Sequence, residues 1–243
     1  MAITGVRRGP SLGNARGASR KLFLLLHVSP ADDGSLCHSV TGAVMSGSQK
    51  LGKTFLNMLQ EVQACTLCHD ALPHGPRPVF QLNPEASILI AGQAPGRKVH
   101  DTGIPFNDQS GDRLREWMGM SRETFYDARK IAILPMAFCY PGTGKAGDFP
   151  PRAECAVTWR ADLLAHLPNL KLTLVIGQYA HAYHLSDSST ATLTETVKAW
   201  KNFGPDRLPL PHPSPRNHIW FKRNPWFTTD LLPALRKRVQ AIV

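Results

Sequence analysis

Short apolar runs that alternate with segments of helical spacing dominate the chain beyond residue 50. Four runs have the length and the continuous apolar character of buried strands: Ser87–Ala91, Ile131–Met136, Leu172–Ile176 and the less apolar Arg207–Leu210. The segments with helical potential are Lys50–Ala64, Asp112–Met118, Arg152–His166, Tyr179–Leu185 and Pro225–Ala241. This alternation predicts an α/β fold, and the continuously apolar strands predict a parallel sheet buried on both faces.

The first 49 residues differ in composition from the rest. They are rich in Gly, Ser and Ala without a sustained period, and one apolar patch, Leu22–Val28, interrupts them. This composition predicts a loosely ordered extension, residues 1–49, followed by one domain over residues 50–243. The patch is barely long enough for a signal peptide and lacks a clean cleavage site, so we expect a cytoplasmic, nucleoid-associated protein. Met45 is an alternative start.

The charge balance favours a polyanionic partner. Lys and Arg number 28 against 18 Asp and Glu, which gives a net charge of +10. Such an excess favours nucleic acids through the release of counterions from phosphates, although part of it lies in the basic leader. No apolar run approaches the roughly 18 residues needed to span a bilayer, so we expect no membrane partner.

The loops after the predicted strands carry three motifs. Ligands of an open parallel sheet bind beyond the carboxyl ends of its strands. The motifs are Gly92–Gly96 (Gly-Gln-Ala-Pro-Gly), Thr102–Phe106 (Thr-Gly-Ile-Pro-Phe) and His212–Asn217 (His-Pro-Ser-Pro-Arg-Asn). In this order they resemble the motifs of the uracil-DNA glycosylase superfamily, from about Leu59 to the C-terminus. The resemblance implies a monomeric three-layer α/β/α sandwich with a four-stranded parallel sheet that removes a damaged base from DNA.

Base removal needs residues of these types. An enzyme that hydrolyses an N-glycosidic bond must flip the nucleotide out and hold the base between a ring and polar groups. Phe106 is the candidate ring, and the backbone amides of Gly92, Gln93 and Ala94 are candidate contacts to the base and the water. His212 is the candidate donor to the departing base oxygen.

The resemblance implies further contacts to the DNA and to the base. Pro213 helps to stiffen the last motif, Ser214 contacts a phosphate, and Arg216 fills the space that the flipped base leaves in the stack. Ala137 and Phe138, just beyond the second predicted strand, are candidate base contacts.

A carboxylate is missing from the first motif. The best-known uracil enzymes place an Asp after the Gly-Gln to position water, and the common iron–sulfur branch has Gly-Glu-x-Pro-Gly, whereas Gln93 and Ala94 stand here. The amide of Gln93 could still orient a water.

Three nearby aspartates are candidates to replace the missing first-motif carboxylate. Asp108 is the preferred water-positioning residue, because another iron–sulfur branch has an Asp with that role a few residues beyond its stacking Phe, and residues 106–112 resemble that segment with one residue deleted. Asp101 is the next candidate. Asp112 is expected to cap the following helix.

The uracil-reading Asn of strict enzymes is also absent. Leu134–Phe138 stands at the end of the second strand, where those enzymes carry the Asn. A bidentate amide discriminates between base edges, so its absence predicts release of other deaminated bases besides uracil.

Four cysteines form a second group of candidate functional residues. Cys65 and Cys68 form a C-x-x-C pair, and Cys139 and Cys155 form a wider pair, with Cys37 outside the pattern. Thiolates so spaced can enclose an iron–sulfur cluster. The iron–sulfur glycosylases have the same layout, so the resemblance implies a structural 4Fe-4S cluster.

Other interpretations remain open on the sequence. Four cysteines could equally bind zinc, and Cys65–His69 matches the haem-attachment pattern C-x-x-C-H, which would suit an exported electron carrier. The missing carboxylate also allows a non-catalytic or covalent damaged-DNA-binding protein on the same fold.

Overall fold

A four-stranded parallel sheet forms the centre of the structure, a computed structural model that describes residues 47–145, 147–186 and 192–243. The sheet has the order β2-β1-β5-β6. Its strands are β1 (Ile88–Ala91), β2 (Ile131–Ile133), β5 (Leu172–Ile176) and β6 (Arg207–Leu210). A separate antiparallel hairpin consists of β3 (Thr143–Gly144) and β4 (Gly147–Asp148).

The strand order creates a switch point beside β1. Ile90 of β1 pairs with Ile133 on one side and with Leu174 on the other, both in parallel register. The chain therefore moves to one side of β1 to form β2 and then returns past β1 to form β5 and β6. Crevices for ligands open at the carboxyl edge of such a switch point.

Helices cover both faces of this sheet. The described helices are α1 (Gly47–Gln63), α2 (Arg97–Thr102), α3 (Gln109–Met118), α4 (Arg122–Tyr126), α5 (Ala153–Cys155), α6 (Ala161–Ala165), α7 (Gln178–His184), α8 (Leu193–Lys198), α9 (His218–Arg223) and α10 (Leu232–Gln240). Short π-helical segments, Ala156–Arg160 and Phe227–Leu231, precede α6 and α10.

Alternate residues of β1 enter two separate cores. Ile88 and Ile90 pack in a cluster that includes Leu114 of α3 and Leu235 of α10. Leu89 packs on the other face, in a cluster that includes Val62 of α1 and Leu163 of α6. Each such side chain stabilises the fold by about 1.5–3 kcal/mol when it is fully buried. The predicted three-layer α/β/α sandwich with a four-stranded parallel sheet is confirmed.

Two strand ends differ from the prediction, while β5 and β6 match it. β1 begins at Ile88, one residue late, and β2 ends at Ile133 although the apolar run continues to Met136. Leu134 still donates to the carbonyl of Ile90 at 3.0 Å. Beyond Pro135, Met136 and Ala137 donate to the carbonyls of Gly92 and Gln93 at 2.9 and 3.1 Å, so the segment stays hydrogen-bonded to the first motif after β2 ends.

The start of α3 also corrects the prediction. The helix begins at Gln109, and its N-cap is Asp108, whose Oδ1 accepts from the backbone N–H of Gly111 at 2.8 Å. Asp112 lies in the first turn and pairs with Arg115 at 2.5 Å. The prediction that Asp112 caps this helix is therefore wrong.

The proposed extension, residues 1–49, lies outside the described residues except for the first residues of α1, and so do Cys37 and Met45. Over the ranges that the structure does describe, no helix combines the length and apolar character needed to cross a membrane.

Candidate active site

A cleft of about 540 Å³ opens at the carboxyl edge of the sheet. The first motif, Gly92–Gly96, forms one wall directly after β1, and the His-Pro-Ser-Pro loop after β6 forms another. Predicted site residues that line this cleft are Gly92, Gln93, Ala94, Phe106, Asp108, His212, Ser214 and Arg216. The fold therefore brings residues more than one hundred positions apart to one cavity.

Phe106 is held over the first motif in an unusual backbone conformation. A Cβ placed on Gly92 would lie 3.6 Å from Cζ of the phenyl ring, so the ring rests directly against this glycine. Among the described residues, Phe106 is the one non-glycine residue with positive φ, at 52°. Bulky residues rarely adopt this conformation, and such strain persists only where the surroundings enforce it.

Two neighbours enforce it. Arg115 Nη1 donates to the carbonyl oxygen of Phe106 at 3.3 Å. Gly111 leaves the space that this carbonyl needs, since a Cβ on Gly111 would lie 1.7 Å from the same oxygen. The ring also packs edge-on against Phe125, with centroids 6.2 Å apart. The conformation of this aromatic wall of the cleft is thus fixed by the protein itself.

His212 is fixed in one tautomer. The backbone N–H of Ser214 donates to Nδ1 of the ring at 3.2 Å, so Nδ1 is an acceptor and the proton of a neutral ring resides on Nε2. Burial lowers the pKa of His212, against the opposing effect of the Asp108 and Asp148 carboxylates. Asn217 Nδ2 donates to the His212 carbonyl at 2.8 Å and holds the loop. The cleft therefore receives a neutral imidazole with a free N–H donor.

Asp108 and Asp101 occupy different places. Asp108 lines the cleft, with one carboxylate oxygen engaged in capping α3. Asp101 lies outside the cleft lining, where its carboxylate pairs with Arg97 at 3.0 Å and its carbonyl accepts from Arg77. The structure supports Asp108 over Asp101 as a residue within reach of a substrate.

Ala137 and Phe138 are not brought to the cleft. Both are almost completely buried, and they line the cysteine cavity instead. Their N–H groups are engaged, with Ala137 donating to the carbonyl of Gln93 at 3.1 Å and Phe138 donating to Sγ of Cys155 at 3.4 Å. The prediction that they contact the base finds no support, because both residues line the cysteine cavity and neither lines the cleft. Pro213 is likewise buried and absent from the lining.

Several cleft residues escaped the sequence analysis. Arg97 and Lys98 follow the first motif on α2, while Thr143 and Asp148 come from the β3–β4 hairpin. Strands of two residues are too short to show an alternating pattern. The glycine-rich composition of residues 142–147 was the one available sign of a turn there.

The family model described as the Uracil DNA glycosylase superfamily matches residues 79–236, which contain every cleft residue named above. The chain belongs to this superfamily. Membership identifies DNA as the substrate and indicates a DNA-repair glycosylase, a hydrolase of the bond between base and sugar. Cys65 and Cys68 precede the matched residues, whereas Cys139 and Cys155 lie within them.

The four predicted cysteine ligands of this superfamily member meet at one small cavity. Cys65, Cys68, Cys139 and Cys155 all line it, and all are free thiols. No His, Asp or Glu lines the cavity with them, so the donor set consists of thiols, which suit an iron–sulfur cluster or zinc. In the part of the chain that the structure describes, no three His, Cys, Asp or Glu are grouped as ligands of a metal ion.

Burial favours the protonated thiol at two of these cysteines, Cys139 and Cys155. It raises the pKa of Cys139 to about 11 and that of Cys155 to about 12. Metal binding at this cavity would therefore have to displace protons. His69 is exposed, pairs with Asp70 at 3.1 Å and does not line the cavity.

Proposed function

We propose that the protein is a monofunctional DNA glycosylase that hydrolyses the N-glycosidic bond of uracil and of other deaminated bases, leaving an abasic site. The observation that carries this proposal is the neutral His212, whose Nε2–H is left free by the Ser214 contact at the cleft where Phe106 provides a ring. A donor and a stacking surface are the two elements that a flipped base requires.

His212 acts on the leaving group. As the bond between C1′ and the base breaks, negative charge develops on a base oxygen, and a neutral donor stabilises that charge without giving up its proton. The fixed tautomer means that no reorganisation is needed at this moment. A protonated ring would lose the acceptor function of Nδ1 and its contact to Ser214.

Asp108 acts on the other side of the bond. One of its oxygens caps α3, so the carboxylate has a fixed position on the cleft wall. A fixed negative charge stabilises the cationic sugar of the transition state, and its second oxygen is available to a water. Gln93 also lines the cleft, and its amide can orient the same water.

The substrate range follows from the loop after β2. Leu134–Phe138 contains no Asn, and Pro135 is the member of this loop that lines the cleft. Nothing in that segment can make the bidentate contact that selects one base edge. We therefore propose broad specificity for deaminated bases.

Cationic residues at the cleft suit a DNA backbone. Arg97, Lys98 and Arg216 line it, and Arg216 is exposed at the position expected to fill the emptied stack. We propose that the protein acts as a monomer in the cytoplasm, where the nucleoid is accessible.

The four cysteines are proposed to hold a 4Fe-4S cluster. When bound, the cluster supplies a covalent tie between the segment before the first motif and the segments after β2. Cys139 and Cys155 would anchor the latter, and no step of glycosidic hydrolysis requires electron transfer.

Base release under single-turnover conditions tests the function. Oligonucleotides that carry uracil, hypoxanthine or xanthine are incubated with excess protein, and free base and abasic sites are quantified. We expect release of uracil and of at least one purine. Release of uracil alone would contradict broad specificity. Tight binding without release of any base would contradict a glycosylase and would favour a damage-binding protein, as the missing first-motif carboxylate allows.

A further inference from the structure

The β3–β4 hairpin brings a second carboxylate to the first motif. Oδ2 of Asp148 lies 3.8 Å from the position of a Cβ on Gly96, the last residue of that motif. On its other side, a Cβ on Gly147 would lie 3.8 Å from Nη1 of Arg216. The hairpin therefore lies close both to the first motif and to Arg216, and Thr143 and Asp148 line the cleft.

A chain of hydroxyl groups orients this carboxylate. Thr143 Oγ1 donates to Oδ1 of Asp148 at 2.5 Å. Because the Thr143 proton is used in this bond, the short contact between Tyr140 and Thr143 must have the Tyr140 hydroxyl as its donor. Tyr140 is 2% exposed, and its ring stacks on His74 with centroids 5.4 Å apart. Oδ1 is thus anchored to the core, which leaves Oδ2 on the side of Gly96.

Asp148 lies beside the motif that lacks a carboxylate. The first motif has Gln93 and Ala94 where related enzymes carry a carboxylate, and neither residue can accept a proton from water at neutral pH. Asp108 is the other carboxylate of the cleft, but one of its oxygens is committed to Gly111 as a helix cap. Asp148, Asp108 and His212 all line the same cleft, and both carboxylates act electrostatically on the imidazole.

We propose that Asp148 is a catalytic residue that accepts the proton of the attacking water, and that the hairpin thereby supplies the carboxylate missing from the first motif. This inference rests on the proposed glycosylase function. It leaves Asp108 with the fixed charge that stabilises the sugar cation. Of the two roles, proton acceptance demands an oxygen that faces the first motif, and Oδ2 of Asp148 lies on the side of Gly96 while Oδ1 accepts from Thr143.

The proposed step balances as follows. The oxygen of water forms a bond to C1′ while the bond between C1′ and the base nitrogen breaks, and its electron pair leaves with the base. Asp148 takes one proton from the water and later returns it to solvent. The departing base, stabilised by His212, takes up one proton from solvent. The products are the free base and the abasic sugar.

Asp148→Asn is the direct test. The variant keeps the size and polarity of the side chain but cannot accept a proton, so single-turnover base release should fall by about 10²–10⁴-fold. Affinity for the same oligonucleotide should be unchanged or higher, because a negative charge near phosphates opposes binding. Asp162→Asn removes an equally exposed carboxylate from α6 and should leave both quantities unchanged.

A second variant separates chemistry from hairpin structure. Asp148→Ala should be equally slow, and formate, which can enter the space of the lost carboxylate, should restore part of the rate. If Asp148→Asn stays within about threefold of the unmodified protein, or if formate restores nothing, Asp148 is not the proton acceptor. An unmodified protein that releases no base would overturn the glycosylase function itself, and this inference with it.

Discussion

His212 is the residue on which the proposed chemistry of base departure depends. His212→Ala removes one hydrogen bond to developing charge, a loss of roughly 2–4 kcal/mol by comparison with oxyanion donors. Single-turnover base release should therefore fall about 10²–10³-fold, while binding of the lesion oligonucleotide barely changes. His218→Ala, at the exposed start of α9, is the matched control and should cleave normally. If His212→Ala weakened binding by the same factor as it slowed base release, the ring would stabilise the bound substrate and the transition state equally.

Gly111 is required for the conformation of Phe106. In Gly111→Ala, the new Cβ would meet the Phe106 carbonyl oxygen at 1.7 Å, and this backbone atom has no flexible end that could yield. We expect destabilisation of about 1–3 kcal/mol and loss of base release, measured by denaturant unfolding and by the single-turnover assay. Gly96→Ala has 3.8 Å of space and should unfold like the parent protein. Equal stabilities of the two variants would contradict the strained arrangement.

Single residues also mark the limit of sequence reasoning at the site. His212 and Phe106 could be predicted because each lies in a motif whose neighbours restrict its role. Asp148 could not, since its importance comes from a hairpin that folds over Gly96, far along the chain. Ala137 and Phe138 were assigned to the base because the resemblance places a base-reading residue at the end of the second strand, whereas in the fold both line the cysteine cavity.

At the scale of elements, the buried side chain of Arg160 links the residues that follow β2 to α7. Arg160 is fully buried and donates to the carbonyls of Leu134 and Pro135, at 3.1 and 2.9 Å, and to Nε2 of His184 at 2.5 Å. A guanidinium only donates, so Nε2 of His184 must be unprotonated. Burial, followed by the charge of Arg160, lowers the pKa of His184 to about 3.

This contact predicts acid sensitivity. Below the ordinary histidine pKa of about 6.5, the unfolded chain binds a proton at His184 that the folded chain does not bind. Stability should therefore fall as the pH decreases from 6.5 towards 3, by at most about 1.4 kcal/mol per pH unit from this group. Denaturant unfolding at pH 7, 6 and 5 measures the slope.

A variant isolates the contribution of His184. His184→Gln retains an acceptor for Arg160 but does not titrate, so its stability should depend less on pH than that of the parent protein. His218→Gln, an exposed histidine, should retain the parental slope. Parallel slopes for all three proteins would show that His184 is not the titrating group.

The elements that sequence patterns predicted are those long enough to show a pattern. β5 and β6 match their apolar runs, because each strand is buried between neighbours. The helices α2, α4, α8 and α9 have five or six residues, which is less than two turns, so no hydrophobic period can be recognised. Local caps mark some of their ends, such as Ser121 at α4 and the Thr192–Glu195 capping box at α8, but a cap alone does not predict how far a helix extends.

Across the whole molecule, the cysteine cavity connects distant segments of the chain. Cys139→Ser should abolish the visible absorbance of a bound iron–sulfur cluster and lower solubility, because the segments it ties together would separate. Cys155→Ser should behave alike, whereas Cys37→Ala should retain the spectrum of the parent protein. Metal analysis of the same samples distinguishes iron from zinc. If Cys37→Ala also loses the absorbance, the assignment of the four ligands is incorrect.

The strand order has a consequence for synthesis of the protein. β6 lies at one edge of the sheet and is the last strand made, and His212 follows it directly. A nascent chain that has emerged only as far as β5 has the stacking ring and both cleft carboxylates, but it lacks the imidazole and leaves β5 as an unpaired edge. The proposed donor to the departing base is thus placed only when β6 pairs with β5, so a chain made as far as β5 should be unable to release a base.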